Sequence, residues 1–177
     1  MMKFSPIRHQ QGFTLIELMV VVVIVSVVTS ISILSLSGGD QRKLTAQQNQ
    51  FKAWLSLVRD QSTFDRKLYL VVPDEKGLTA HVYYQNSWKK SPNVEFLAWK
   101  SGVTVQWSVD DVFAQKQQLP EAGWMFWPTG EVLEGDVSFA IGGDKFTAPK
   151  KENIAKVLWN DILQFDIETG QALDEAR

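Results

Sequence analysis

The chain has 177 residues, 45% of them hydrophobic and 21% charged, with a net charge of −2 and no cysteine. The absence of thiols excludes a disulfide framework and a thiolate metal site, and the slight acidity gives no attraction to nucleic acid or to an anionic membrane. Seven Trp and ten Phe supply large apolar areas for a core.

Residues 1–12 (MMKFSPIRHQQG) are polar, carry Lys3 and Arg8, and end in Gly12. Phe13 opens an apolar run that extends to Leu36 with Glu17 as its one charge. As a helix these 24 residues would extend ~36 Å, enough to cross a hydrocarbon core of about 30 Å. Val and Ile are poor helix formers in water, but in lipid the helix is the open-chain solution that satisfies the backbone. A secretory signal peptide fits less well, because its apolar region is about 7–15 residues long and ends in an Ala-x-Ala site. Glu17 argues further against it, since an acid at the centre of a membrane helix costs roughly 2.5–3.5 kcal/mol and is a functional residue by default. Lys3 and Arg8 before the run are matched by Arg42 and Lys43 after it, so positive charge alone does not orient the segment.

The junction Gly12-Phe13-Thr14-Leu15-Ile16-Glu17-Leu18, followed by a Val/Ile run, resembles the class III leader of type IV pilins and type II secretion pseudopilins. The resemblance implies that a prepilin peptidase cuts between Gly12 and Phe13 on the cytoplasmic side and N-methylates the new Phe13 amine. It places Glu17 at the fifth mature position, where the family keeps an acid. It also implies an inner-membrane protein with its N-terminus in the cytoplasm and its head in the periplasm. Physically, the Glu17 carboxylate lies ~6 Å along the helix axis from the Phe13 amine. In a filament of side-by-side helices a neighbour's terminal ammonium could neutralise it, and the positive end of the helix dipole favours an acid in the first turn. The plain alternative is a carboxylate that snorkels to the headgroups.

Ser37-Gly38-Gly39-Asp40 reads as a flexible break, or as a cap restarting a helix at Asp40. From Arg42 to about Thr63 the pattern is helical and amphipathic. Leu44, Gln48, Phe51, Leu55 and Val58, widened by Trp54, form the packing stripe, with Lys43, Gln47, Gln50, Lys52 and Arg59 opposite. Beyond Asp65 the period changes to two. Lys67–Val72, Thr79–Tyr84, Val103–Val109, Trp124–Trp127, Val137–Ile141, Lys156–Trp159 and Ile162–Ile167 read as strands. Turns are expected at Pro73–Gly77, Pro128–Gly130 and Gly142–Asp144, and Thr169–Arg177 as a loose tail or short helix. The sum is an α+β chain: a leader over 1–12, a membrane or filament-core helix over 13–36, an amphipathic continuation over 37–65, and a β-rich head over 66–177 of about seven to nine antiparallel strands.

Within the head, Gly123–Ile141 (GWMFWPTGEVLEGDVSFAI) resembles GspH/FimT-type pseudopilins, which carry an aromatic strand, a Pro-x-Gly turn and a second strand there. Val58-Arg59-Asp60-Gln61-Ser62 is similar to a small-Arg-x-x-Ala pattern of that group, from which Asp60, Gln61 and Ser62 depart.

Chemistry is sparse. His81, the sole histidine after the leader, sits in a strand pattern, where a packed or surface role is expected. No phosphate loop, serine elbow or HExxH motif occurs. Asp110-Asp111 and Asp74-Glu75 could each touch calcium, but without the spaced oxygen ladder of a dedicated loop they read as solvated turns. Trp124 and Trp127 fall on opposite-facing or adjacent positions of one strand and form no cage. Lys89-Lys90 and Lys150-Lys151 are isolated pairs, short of a nucleic-acid surface. No enzyme, metal or cofactor is expected.

The resemblance implies a structural minor pseudopilin of the H type. It would join a periplasmic pseudopilus with the major and other minor pseudopilins, a hetero-oligomeric filament that supports export of folded proteins across the outer membrane. The alternative is a FimT-type minor pilin of a type IV pilus that takes up DNA.

Overall fold

A computed structural model of the chain describes residues 15–142 and 153–169, and for 29–38 the backbone alone. The leader, the Gly12–Phe13 junction, Gly143 and Asp144 of the third expected turn, and the tail from 170 lie outside the described residues. The chain divides into two compact units, 1–39 and 40–177.

Helix α1 runs Leu15–Asp65. Its backbone stays helical through 37–40, so the expected break or restart at Asp40 does not occur. Two adjacent glycines cost helix propensity, roughly 1 kcal/mol each relative to Ala, without ending it. In the second unit the stripe lies as its spacing requires. Leu44, Phe51, Trp54, Leu55 and Val58 are all buried. Gln47 corrects the expected polar face: it is fully buried, and its Oε1 accepts from the Lys100 amide at 2.8 Å. The backbone donor it meets could not be read from helical period.

Nine strands follow among the described residues, in two antiparallel sheets. β1 (Tyr69–Pro73), β2 (Gly77–Tyr84), β3 (Ser87–Lys90) and β4 (Leu97–Ala98) make one sheet with β6 (Trp124–Phe126), in the order β3-β2-β1-β6 with β4 beside β2. β5 (Val103–Ser108), β7 (Gly135–Ile141), β8 (Ile154–Trp159) and β9 (Phe165–Thr169) make the other, in the order β5-β7-β8-β9. Helix α2 (Asp111–Lys116) follows β5.

The second sheet obeys the period of two: on β7 and β8 alternate side chains are buried. The first does not. Four consecutive residues of β1 and all three of β6 are buried. The cause is a second cluster on the outer face, where Leu70, Val72 and Met125 are covered by Leu68, Trp88, Phe113 of α2, Leu119, Trp127 and Leu133. A strand covered on both faces reads as a continuous apolar run, and YLVV is one.

The main core lies between the helix stripe and both sheets. Phe51 meets Phe139 edge-on at 5.4 Å and Trp159 at 5.7 Å, tying the helix to the second sheet. Trp54 Nε1 donates to the Glu95 carbonyl at 2.8 Å, tying it to the loop before β4. The rings of Trp124 and Trp159 cross nearly at right angles, 5.0 Å apart, joining the sheets. Gly135 makes that crossing possible, since a Cβ there would stand 2.5 Å from Trp124 Nε1 and 2.6 Å from the Trp159 ring.

Three elements have weak sequence signals. β3 follows a two-residue turn in which Gln85 and Asn86 both have positive φ, the twist a tight hairpin needs. A Gln in the first of those positions is an unusual signal. β4 is two residues long. The Asp110-Asp111 pair is exposed, but it opens a helix rather than a turn: Asp110 caps α2, its carboxylate accepting from the Phe113 amide at 2.8 Å.

Candidate functional site

The site suggested by the sequence is the N-terminal helix with its junction. Gly12 and Phe13 lie outside the described residues. Glu17 is described, exposed, in the first turn of α1, where the helix dipole favours an acid. Around it the helix surface is apolar and open to the surroundings: Leu15, Ile16, Leu18, Met19 and the Val/Ile residues through Val28 are each at least half exposed. A helix apolar on all faces belongs in lipid or among other helices, because in water it removes nothing from solvent. Among the described residues no helix is long and apolar enough to cross a membrane; of the expected 13–36 span, described side chains cover only 15–28.

The end of α1 is fastened to the head by the segment whose sequence departs from the pseudopilin pattern. Ser62 is fully buried, and its hydroxyl donates to the Arg59 carbonyl at 2.8 Å and the Trp127 carbonyl at 3.1 Å. The hydroxyl is therefore used where the pattern has Ala. Gln61 donates to Asp65 at 3.0 Å, and Asp60 pairs with Arg59 at 3.0 Å. Trp127 opens the turn through Pro128 and Thr129, closed by Gly130 N–H donating to its carbonyl at 3.0 Å, with Gly130 at φ +90°. The hairpin and the helix end therefore form one joint.

Asp65 and Tyr69, one turn of chain apart, share a hydrogen bond from the phenol to the carboxylate. For Asp65, burial pulls upward, but hydrogen bonds from Tyr69 and Gln61 and the nearby Lys67 hold its carboxyl below the usual range. Burial, then Asp65, pushes the Tyr69 phenol up to about 12. The pair links the end of α1 to the base of β1.

His81 lies on the outer face of β2, its Nδ1 buried without a partner. Burial lowers its pKa, opposed by Glu121 and assisted by Lys90. The imidazole is half-buried beside Leu70 of β1, its cross-strand partner. Of the two placements open for Trp124 and Trp127, the structure shows the opposite-facing one, with Trp124 in the main core and Trp127 on the outer cluster. Trp124 Nε1 donates to the Ser108 carbonyl at 3.1 Å.

An open groove of about 740 Å³ runs along the junction of the sheets, between Asp110, Asp111, Glu134 and Asp136 over the edges of Trp124 and Trp159. No group of three or more His, Asp or Glu suited to a metal occurs among the described residues. Asp136 is committed to Lys156 at 3.4 Å across the strands.

Comparison with known proteins places both ends of this description. Residues 7–33 match the prokaryotic N-terminal methylation motif. No curated protein matches the chain. Two solved structures of the minor pseudopilin EpsH from the type II secretion system of Vibrio cholerae match the fold. One is 15% identical with a TM-score of 0.53, covering 71% of this chain and 94% of that one. The other is 18% identical with a TM-score of 0.52, covering 73% and 94%. The chain thus combines a prepilin-type methylation motif with the α+β fold of a minor pseudopilin.

Proposed function

We propose that the protein is an H-type minor pseudopilin, a structural subunit of a type II secretion pseudopilus, without catalytic activity of its own. The observation that carries this reading is the pairing of a methylation motif and an exposed, all-apolar helix bearing Glu17 with a head of the minor pseudopilin fold. Prepilin peptidase would remove residues 1–12, leaving a methylated Phe13 amine. The helix then anchors the subunit in the inner membrane with its head in the periplasm. On extraction into the filament, Glu17 would face a neighbour's terminal ammonium, a pairing strengthened by the low dielectric among packed helices. Its partners would be the major and other minor pseudopilins. The force for export would come from elsewhere in the machine, and this chain supplies shape and contacts.

Deletion of the gene, with exoproteins then measured in the medium, tests the assignment. Loss of secretion with pili intact is expected. Unchanged secretion with pili or DNA uptake lost would transfer the protein to a type IV pilus.

A further inference from the structure

We infer that the free edge of β5, Val103–Ser108, is a self-complementary interface through which two heads of this chain pair, joining their four-stranded sheets into one. An edge strand presents unpaired N–H and C=O groups, and proteins normally blunt such edges with charge, proline, brevity or a cover. Among the described residues the other edge strands are blunted, β4 by its two-residue length. β3 carries Lys89 and Lys90, β9 carries Asp166 and Glu168, and β6 is three buried residues long with a bridge from Phe126 to Val132. β5 (VTVQWS) has six residues, no charge and no proline.

Among the described residues no strand pairs with the outer side of β5, and burial along the second sheet agrees. Val137, Phe139 and Ile141 on β7 are buried. Their partners on the same face of β5, Trp107, Val105 and Val103, are only half-buried. An added strand would complete the row and bring apolar area out of water.

Charge selects the occupant as a second copy. β3 against β3 would oppose lysines, and β9 against β9 carboxylates, whereas β5 against itself meets no like charge. Antiparallel pairing about a two-fold at Val105 sets Val103 opposite Trp107 and Thr104 opposite Gln106, keeping each residue on its own face. The same axis brings the end carrying Lys100 beside the partner end carrying Asp110 and Asp111, twice over by symmetry. The contact concerns the heads alone and does not depend on which machine the protein serves.

The test is sedimentation velocity on residues 40–177, a compact unit that holds the described core, over a concentration series with amide exchange at both ends. A concentration-dependent dimer is expected, with amides of 103–108 gaining protection in the dimer and those of 165–169 unchanged. Thr104→Lys should abolish the dimer with circular dichroism preserved. Lys100→Glu should shift the equilibrium toward monomer, and adding Asp111→Lys should restore it. A head that stays monomeric throughout, a dimer that protects β9 instead, or one indifferent to Thr104→Lys would overturn the proposal. So would protection of β5 only by an extended segment of another protein.

Discussion

Two stretches of α1 make opposite use of apolar residues. Between Leu15 and Val28 nearly every side chain is large, apolar and exposed, so the stretch gains nothing from its own fold. Between Leu44 and Val58 apolar residues recur at helical spacing on one face and are buried against two sheets. The first needs surroundings to be stable and the second brings its own. An uninterrupted apolar surface therefore points to lipid or partner helices, and a stripe points inward to the head.

The largest expected effect belongs to the exposed stretch. Glu17→Val eases membrane insertion by about 2.5–3.5 kcal/mol, yet is expected to remove the subunit from the filament altogether. Cross-linking of the heads to the major pseudopilin in intact cells reads this directly. Persistence of the cross-link would mean that the carboxylate only reaches for the headgroups. In the packed stretch, Phe51→Ala should lower the stability of residues 40–177 by about 3–5 kcal/mol in urea unfolding. Gly135→Ala forces a methyl into the Trp124–Trp159 crossing and should cost about 1–3 kcal/mol, with a change in tryptophan fluorescence.

Smaller effects probe the joints. His81 has a folded pKa below its ordinary value, chiefly from burial, with Lys90 adding to and Glu121 opposing the shift. Its neutral form is favoured by folding, so its contribution is present above the unfolded pKa of about 6.5 and is lost as pH falls through the folded value. His81→Asn should flatten that part of the head's stability profile below neutrality. Ser62→Ala removes the hydroxyl link to the Trp127 carbonyl and should cost about 1 kcal/mol, seen as a small drop in melting temperature.

Legibility follows the same division. The stripe of α1, the strands around Val103–Ser108 and Ile154–Trp159, and the alternation of the second sheet could be read because each is buried on one side, and one-sided burial writes a period. β1 loses that period because α2 and the chain around Leu119 cover its far face, a tertiary fact absent from its own six residues of sequence signal, Lys67–Val72. Helical period puts Gln47 on the polar face because nothing local shows that the Lys100 amide, 53 positions on, meets it. β9 lies later than the expected Ile162–Ile167, since Leu163 takes positive φ and turns the chain before Phe165. Of the site, Glu17 stands out in the sequence as a charge out of place, while the Gly12–Phe13 junction is an expectation from resemblance that lies outside the described residues. The use of Ser62 in the helix joint required the fold.

The most direct test is the intact mass of the protein recovered from membranes after co-expression with a prepilin peptidase. Loss of residues 1–12 together with gain of one methyl group on Phe13 is expected, with Gly12→Arg leaving the full-length chain. An unprocessed wild-type chain, or one cut at the far end of the apolar run near Ser35 and Ser37, would contradict the account.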